Sequence, residues 1–575
     1  MDANQLKKAI LILIGMGLGL QTIGCGSSTP GPAEAKSVAQ GTDSGSNTTS
    51  SGSNGGVTVT NIYSQPKELG VGDLLYVDLN GGQSSLSFSE VDAAAEFMFV
   101  LANTASSSGN FAVQISGDLS EPEFALEDPS EEENFEAAKS IDANAGVDPQ
   151  LNDITEQFHD ALRAKEKELE ILEMPEAVSG VSKSVSGNVS ASISEGDESS
   201  FKVLASLSST SSSVTVSAVA ECVGSNVIFY VDKRVSVDML SAADVDALCS
   251  RFDATVAKEA TLFGSPSDVN NDGKVVVLLT PQVNKLGALG GGIVTGFFNA
   301  VDLYPNSSTN PVSNYMEILY IMVPDPNGEF GVLVSKEFAL SNLLPAVLPH
   351  EFQHAISYNQ HVFVNKGNSE EGWLNEGMSH LAEDLMGENQ ENPSRFAIFL
   401  QSPHSYSLVT AKSPGLAARG AAYLFLRYLC EQAENKGAFL QKMVQTSFTG
   451  TANVEKAFGG RAGDFDQFGE FFLRWSVALA MTDRGITQDR RFTYQPRVQN
   501  AETGNWGGVC LSCIAQDNRG TAPNGVSLKP YGGSQNATTG GTAARFYTVS
   551  KVKEKLDFNS AYSQGEGFGV LIRTK

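Results

Sequence analysis

His350-Glu351-Phe352-Gln353-His354 is the stretch around which the rest of this chain can be ordered. On a helix, residues i and i+4 lie one turn apart on the same face. His350 and His354 can therefore each aim an imidazole nitrogen at one metal ion. Glu351, next to the first imidazole, can reach a water held by that ion. The ion would bring the water's pKa towards neutrality, and the carboxylate would take its proton as it attacks a carbonyl. The chain has 575 residues and only 6 histidines, so chance predicts fewer than roughly 0.01 such motifs.

A third ligand has to come from elsewhere. The residues after the motif, Ala355-Ile356-Ser357-Tyr358-Asn359-Gln360-His361, hold a histidine two turns beyond His354, too far along the helix to share its ion. Trp373-Leu374-Asn375-Glu376-Gly377-Met378-Ser379-His380 follows and reads as a second helix. Its apolar neighbours turn Glu376 inward, beside the histidine helix, which makes Glu376 the candidate third ligand over an ordinary surface carboxylate.

With Ala382-Glu383-Asp384, the upstream Ser267-Asp268-Val269-Asn270-Asn271-Asp272-Gly273-Lys274 and the downstream Gly420-Ala421-Ala422-Tyr423-Leu424-Phe425, these motifs resemble the hyicolysin family of zinc metallopeptidases over residues 226–480. The resemblance implies an α+β fold with a zincin-like catalytic core: a mixed sheet plus active-site helices, of the thermolysin-like, gluzincin type. It implies zinc held by His350, His354 and Glu376, with Glu351 as catalytic base acting on protein or peptide substrates. Two departures stand out. Thermolysin-like enzymes have an Asp four residues after the Glu ligand, where this chain has His380. Glu383, one turn on, is expected to hold a ligand histidine in its place, and His380 is left either to substrate or to the helix itself. Pro349 precedes the motif, so the helix is expected to begin near Val347, with the proline in its first turn. Relatives place a Tyr where Arg419 stands. Arg419 is the candidate stabiliser of the developing oxyanion, with Tyr423 and Tyr406 as alternatives. Arg419 reads equally well as a surface charge at a helix start.

The flanks read differently. Lys7 and Lys8 precede an apolar run from Ala9 to Leu20, and Thr22-Ile23-Gly24-Cys25 closes it. This pattern predicts a lipoprotein-type signal over 1–25 with Cys25 as lipidation site, or ordinary signal cleavage with an incidental cysteine. It implies export, with a lipid anchor in the bacterial envelope or surface as the first reading and secretion as the second. Residues 26–56 are a Ser/Gly-rich linker. Residues 57–225 are expected as a β-rich N-terminal domain, with an acidic, exposed helical insertion from Glu156 to Met174. Residues 226–490 are expected as the catalytic domain, with a helix capped by Ser241 and strands at Val275–Leu279 and Ile318–Val323. Residues 491–575 are expected as a small β-rich region.

Asp268, Asn270 and Asp272, followed by Gly273, form the first half of a calcium loop. Leu279 occupies the position of the closing Glu, which excludes an EF-hand. A partial calcium cage and a turn that needs no ion are both open readings. Cys222 with Cys249 and Cys510 with Cys513 are candidate disulfides of an oxidising compartment, and Cys430 reads as a buried free thiol. The net charge of -27, from 39 basic and 66 acidic residues, excludes the basic surface that nucleic acid requires. The alternative function is a surface adhesin that keeps the fold without useful activity. The intact Glu351 favours the enzyme.

Overall fold

The computed structural model describes residues 68–87, 95–106, 111–119, 149–169, 193–207, 209, 211–289, 292–410, 415–458, 468–531, 534–550, 552–562 and 566–575. The chain enters through four strands, β1 (Leu74–Asp78), β2 (Gln83–Ser87), β3 (Glu96–Asn103) and β4 (Phe111–Leu119), followed by helix α1 (Pro149–Leu169). Strands β5 (Glu198–Leu204), β6 (Ser213–Val223) and β7 (Val227–Asp232) lead to helix α2 (Ala242–Phe263). Strand β8 (Val275–Leu279), helix α3 (Pro281–Leu289), strand β9 (Gly296–Phe298) and strand β10 (Ile318–Ile321) follow. Helices α4 (Leu344–Tyr358), α5 (Gly372–Leu385), α6 (Asn392–Gln401) and α7 (Leu416–Gln432) come next. Then come α8 (Lys436–Val444), α9 (Gly450–Phe458) and α10 (Phe468–Met481). The chain closes with β11 (Val498–Gln499), β12 (Trp506–Gly507), β13 (Lys529–Pro530), β14 (Ser534–Thr539), β15 (Ala543–Ser550), β16 (Val552–Tyr562) and β17 (Gly567–Arg573).

The central sheet is mixed, in the order β5-β6-β7-β8-β10-β9, which agrees with an α+β class. β8 reads Val-Val-Val-Leu-Leu and is buried at every position, as expected of a strand covered on both faces with parallel neighbours β7 and β10. β9 ends the sheet, antiparallel to β10. Helix α2 makes the crossover from β7 to β8. Ser241 and Asp244 form a reciprocal capping box at its start. Helix α4 packs on α2 and on β9 and β10, and α5 packs on α4 and α7.

The strand pairings cross the boundaries expected at 225 and 490. β5 and β6 belong to the central sheet. β1 to β4 pair with the C-terminal strands, in one sheet of order β1-β17-β3-β15-β13 and another of order β14-β4-β16-β2. Alternation along β3 shows why both faces are used. Phe97, Phe99 and Leu101 join Phe111, Ile115 and Phe558 between the two sheets, whereas Met98, Val100 and Ala102 join the main core. A pairing such as Leu75 with Leu571 leaves no local trace in composition. Among the described residues, no helix is long and apolar enough to cross a membrane.

Helix α1 departs from the expected exposed insertion. It starts at Pro149, and Phe158, His159, Leu162, Arg163, Glu166 and Leu169 are buried. Its many charged residues suggested a solvated helix, but the 3-4 spacing of these six residues defines one inward face.

Candidate metal centre

Every residue of α4 is buried. The helix begins at Leu344, earlier than Val347, and continues from a π-helical turn at Ala339–Leu343. Pro349 therefore lies inside the helix and removes one backbone donor, a cost of about 3 kcal/mol in an isolated helix. The packing of α4 on α2, α5, β9 and β10 holds the helix through it.

His350, Glu351, His354 and Glu376 are each at most 5% exposed. Nδ1 of His350 lies 2.7 Å from Glu383 Oε1, and Nδ1 of His354 lies 3.0 Å from Asn375 Oδ1. Each acceptor selects the tautomer with its proton on Nδ1 and leaves Nε2 as a lone-pair donor. Those two Nε2 atoms face the Glu376 carboxylate, His350 at 3.4 Å from Oε2 and His354 at 3.6 Å from Oε1. Neither Glu376 oxygen accepts a hydrogen bond, although both are buried. Arg419 Nη1 approaches Oε2 at 3.0 Å.

Gly377 and Gly420 allow this approach of α5, α6 and α7. A Cβ on Gly377 would come within 3.0 Å of Ala422 Cβ and 2.8 Å of Leu426 Cδ1. A Cβ on Gly420 would meet the backbone of Arg395 and Phe396 at 2.5 Å.

His380 enters the cluster from the same face of α5 as Glu376. One donor atom each from His350, Glu376 and His380 lie within 4.8 Å of one another, the one such grouping of His, Cys, Asp and Glu among the described residues. His380 Nδ1 also lies 2.7 Å from Glu383 Oε1, so one carboxylate oxygen serves both imidazoles. His380 Nε2 is buried without a hydrogen-bond partner. The grouping His350, Glu376 and His380 is thus rich in imidazole and carboxylate and fits a metal ion; the expected ligand His354 stands outside it, with its Nε2 3.6 Å from Glu376 Oε1 and 3.4 Å from Ser379 Oγ.

The electrostatics are dominated by the buried carboxylates, which favour a second proton on His350 where a cation would otherwise stand. Burial opposes charge on His350, yet the carboxylates of Glu376, Glu383 and Glu351 outweigh it and push its pKa up to about 9. Burial, followed by the Arg163 guanidinium, holds His354 well below its usual range. Burial would raise Glu376, but Arg419, His354 and His350 hold it well below the carboxylate range. Glu351 is raised, chiefly by burial, while the Phe298 amide donates to its Oε2 at 2.9 Å. Buried carboxylates concentrated here call for compensating positive charge.

Other expected residues are placed elsewhere. Tyr423 does not face the cluster: its hydroxyl donates to Asp384 Oδ2 at 2.9 Å, and Arg427 Nη1 reaches the same oxygen at 2.7 Å. Tyr423, one turn beyond Arg419, meets Asp384, about two turns beyond Glu376, which is why Tyr423 misses the site. Tyr406 packs near Phe399 and borders a cavity with Thr542 and Phe546. In the Asp268–Gly273 turn, Asp268 Oδ1 accepts from the amides of Asp272 and Gly273, and Asn270 Nδ2 donates to Asp272 Oδ2. The turn is closed by its own hydrogen bonds.

Cys222–Cys249 and Cys510–Cys513 are disulfides, with Cα separations of 6.4 and 5.6 Å. Cys430 is buried, as expected, but it is not a free thiol: it is disulfide-bonded. An apolar helix buries a disulfide sulfur as readily as a thiol. Cys25 and its preceding signal pattern lie outside the described residues.

Four contributors had no sequence signal of their own. Asn375 is adjacent to Glu376, yet only the fold turns its amide to His354. Phe298 acts through its backbone amide, which any residue type supplies. His159 and Arg163 lie nearly two hundred residues before the motif.

The chain is similar to the neutral metalloprotease ShpI of Staphylococcus hyicus, with 28% identity over 225 residues, covering 38% of this chain and 48% of that protein. The chain thus spans about half the length of this curated relative. No protein-family model matches it. The chain thus has a distant homologue that is a metalloprotease, and it carries a His/Glu/His cluster that could hold a metal ion.

Proposed function

We propose that this chain is an exported zinc peptidase in which His350, His354 and Glu376 bind zinc and Glu351 is the general base. The observation that carries the reading is the convergence of two Nε2 atoms on one buried carboxylate, each imidazole held from behind by Glu383 or Asn375. Bound zinc would supply a Lewis acid that lowers the pKa of a coordinated water towards 7.

The chain's own groups divide the remaining work. Glu351, anchored by the Phe298 amide and made more basic by burial, takes the proton of the attacking water and passes it to the leaving amine. Arg419, fixed against Glu376, offers permanent positive charge to the oxygen on which charge develops. The two described disulfides support an oxidising, extracytoplasmic location. The expected result is casein hydrolysis by zinc-loaded protein that is abolished by a chelator and by Glu351→Ala with zinc still bound. Hydrolysis that survives Glu351→Ala would overturn the reading.

A further inference from the structure

Helix α1 packs against β9, the strand whose Phe298 amide donates to Glu351. Phe158, wholly buried, meets Phe297 of the terminal strand β9 edge-on, with ring centroids 5.3 Å apart. At the other end of the helix, the Tyr304 hydroxyl donates to the carbonyl of Leu169 at 3.2 Å, just past the 3-10 turn Ala300–Leu303 that follows β9. Between these anchors, His159, Arg163 and Glu166 are turned inward and buried, with Arg163 Nη1 2.8 Å from Glu166 Oε1. His159 is within electrostatic reach of Arg419, Glu376 and His350, and Arg163 within reach of Glu351 and His354. The helix is thus seated on the strand and turn beside Glu351, whose Oε2 accepts from the Phe298 amide, and the candidate ligands and base are at most 5% exposed.

We infer that α1 is an intramolecular plug, seated where a peptide substrate must lie, and that the site opens only when α1 leaves it. This rests on the peptidase reading of the site. A permanent wall over a buried cluster would be built of apolar residues, since buried ionisable groups are costly unless matched. α1 instead buries a histidine, an arginine and a glutamate alongside the apolar anchors Phe158, Leu162 and Leu169. Its outward positions include Ala164, Lys167 and Glu168. Closure by this segment also keeps bulk water and protein substrates from the base until the segment is displaced.

The test uses the zinc-loaded full chain and a dipeptide hydroxamate, which binds only where both the metal and the cleft are accessible. A ligand of the open state is weakened by the fraction of molecules that are closed. Phe158→Ala/Leu162→Ala, which loosens the seat without touching the cluster, is expected to bind the hydroxamate about tenfold or more tightly than wild type. In wild type, saturating hydroxamate is expected to speed hydrogen exchange across 149–169 while leaving α4 and α5 protected. Equal affinity in the two proteins, or an α1 that stays protected with the hydroxamate bound, overturns the plug. Neither readout depends on hydrolysis. A failed plug therefore shows as binding with α1 in place, whereas a failed peptidase reading shows as an opened, zinc-loaded site that binds the hydroxamate but cleaves nothing.

Discussion

Glu383 Oε1 stands 2.7 Å from Nδ1 of His350, so a buried carboxylate orients the first histidine of the motif from behind. Such partners fix the imidazole's tautomer and raise its basicity, and their loss typically costs about 10–100-fold in metal affinity. Glu383→Gln keeps an acceptor but no charge, and is expected near the lower figure. Glu383→Ala removes both and is expected near the upper. Competition with a zinc chelator of known affinity measures this, and unchanged affinity in Glu383→Ala would contradict the role.

His354 and His380 make opposite predictions. With His354 as ligand, His354→Ala loses stoichiometric zinc, and His380→Ala keeps it. Elemental analysis after gel filtration separates the two. Zinc retained in His354→Ala and lost in His380→Ala would move the third donor to His380, whose Nε2 is free and buried.

Arg419 is placed to act on the transition state. Arg419→Met is expected to lower kcat by about 10²–10³ with zinc content unchanged and KM little affected. A wild-type kcat would reduce Arg419 to a structural partner of Glu376.

Asp302 is buried on the 3-10 turn after β9, accepting from Asn314 N at 2.6 Å and Tyr320 Oη at 2.7 Å. Burial outweighs these bonds and raises its pKa from 3.8 to about 7. The folded protein then holds a proton that the unfolded chain releases, so the stability Asp302 contributes is complete below pH 3.8 and is lost as pH rises through about 7. The loss is on the order of 4 kcal/mol. Denaturant unfolding at pH 4.5 and 7.5 should show a smaller fall in Asp302→Asn than in wild type. Equal falls would contradict the shift.

How much of this was legible in the sequence varied with distance along the chain. The i, i+4 spacing of His350 and His354 placed two imidazoles on one face, and the apolar surroundings of Glu376 turned it inward. Val275–Leu279 read as a strand, and the structure shows one, buried at every position. What was hidden depends on partners far away. Pro349 sits in mid-helix because tertiary packing holds α4 through it. The β1–β17 pairing joins strands some five hundred residues apart. α1 read as solvated from its charges, and only its register against Phe297 shows which of them are buried. Tyr423 and Arg419, one turn apart, were indistinguishable until the helix packing gave one to Asp384 and the other to Glu376.

The most direct test of the central claim is zinc content and peptide hydrolysis measured side by side for Glu351→Gln, in wild type and in the Phe158→Ala/Leu162→Ala background. The account predicts one zinc per chain in all four proteins. It predicts hydrolysis in the plug-loosened protein and a fall of about 10³-fold or more when Glu351 loses its charge, a loss of the size that follows removal of a catalytic proton acceptor. Zinc-loaded, plug-loosened protein that cleaves no peptide, or that cleaves equally well with Gln at 351, would contradict it.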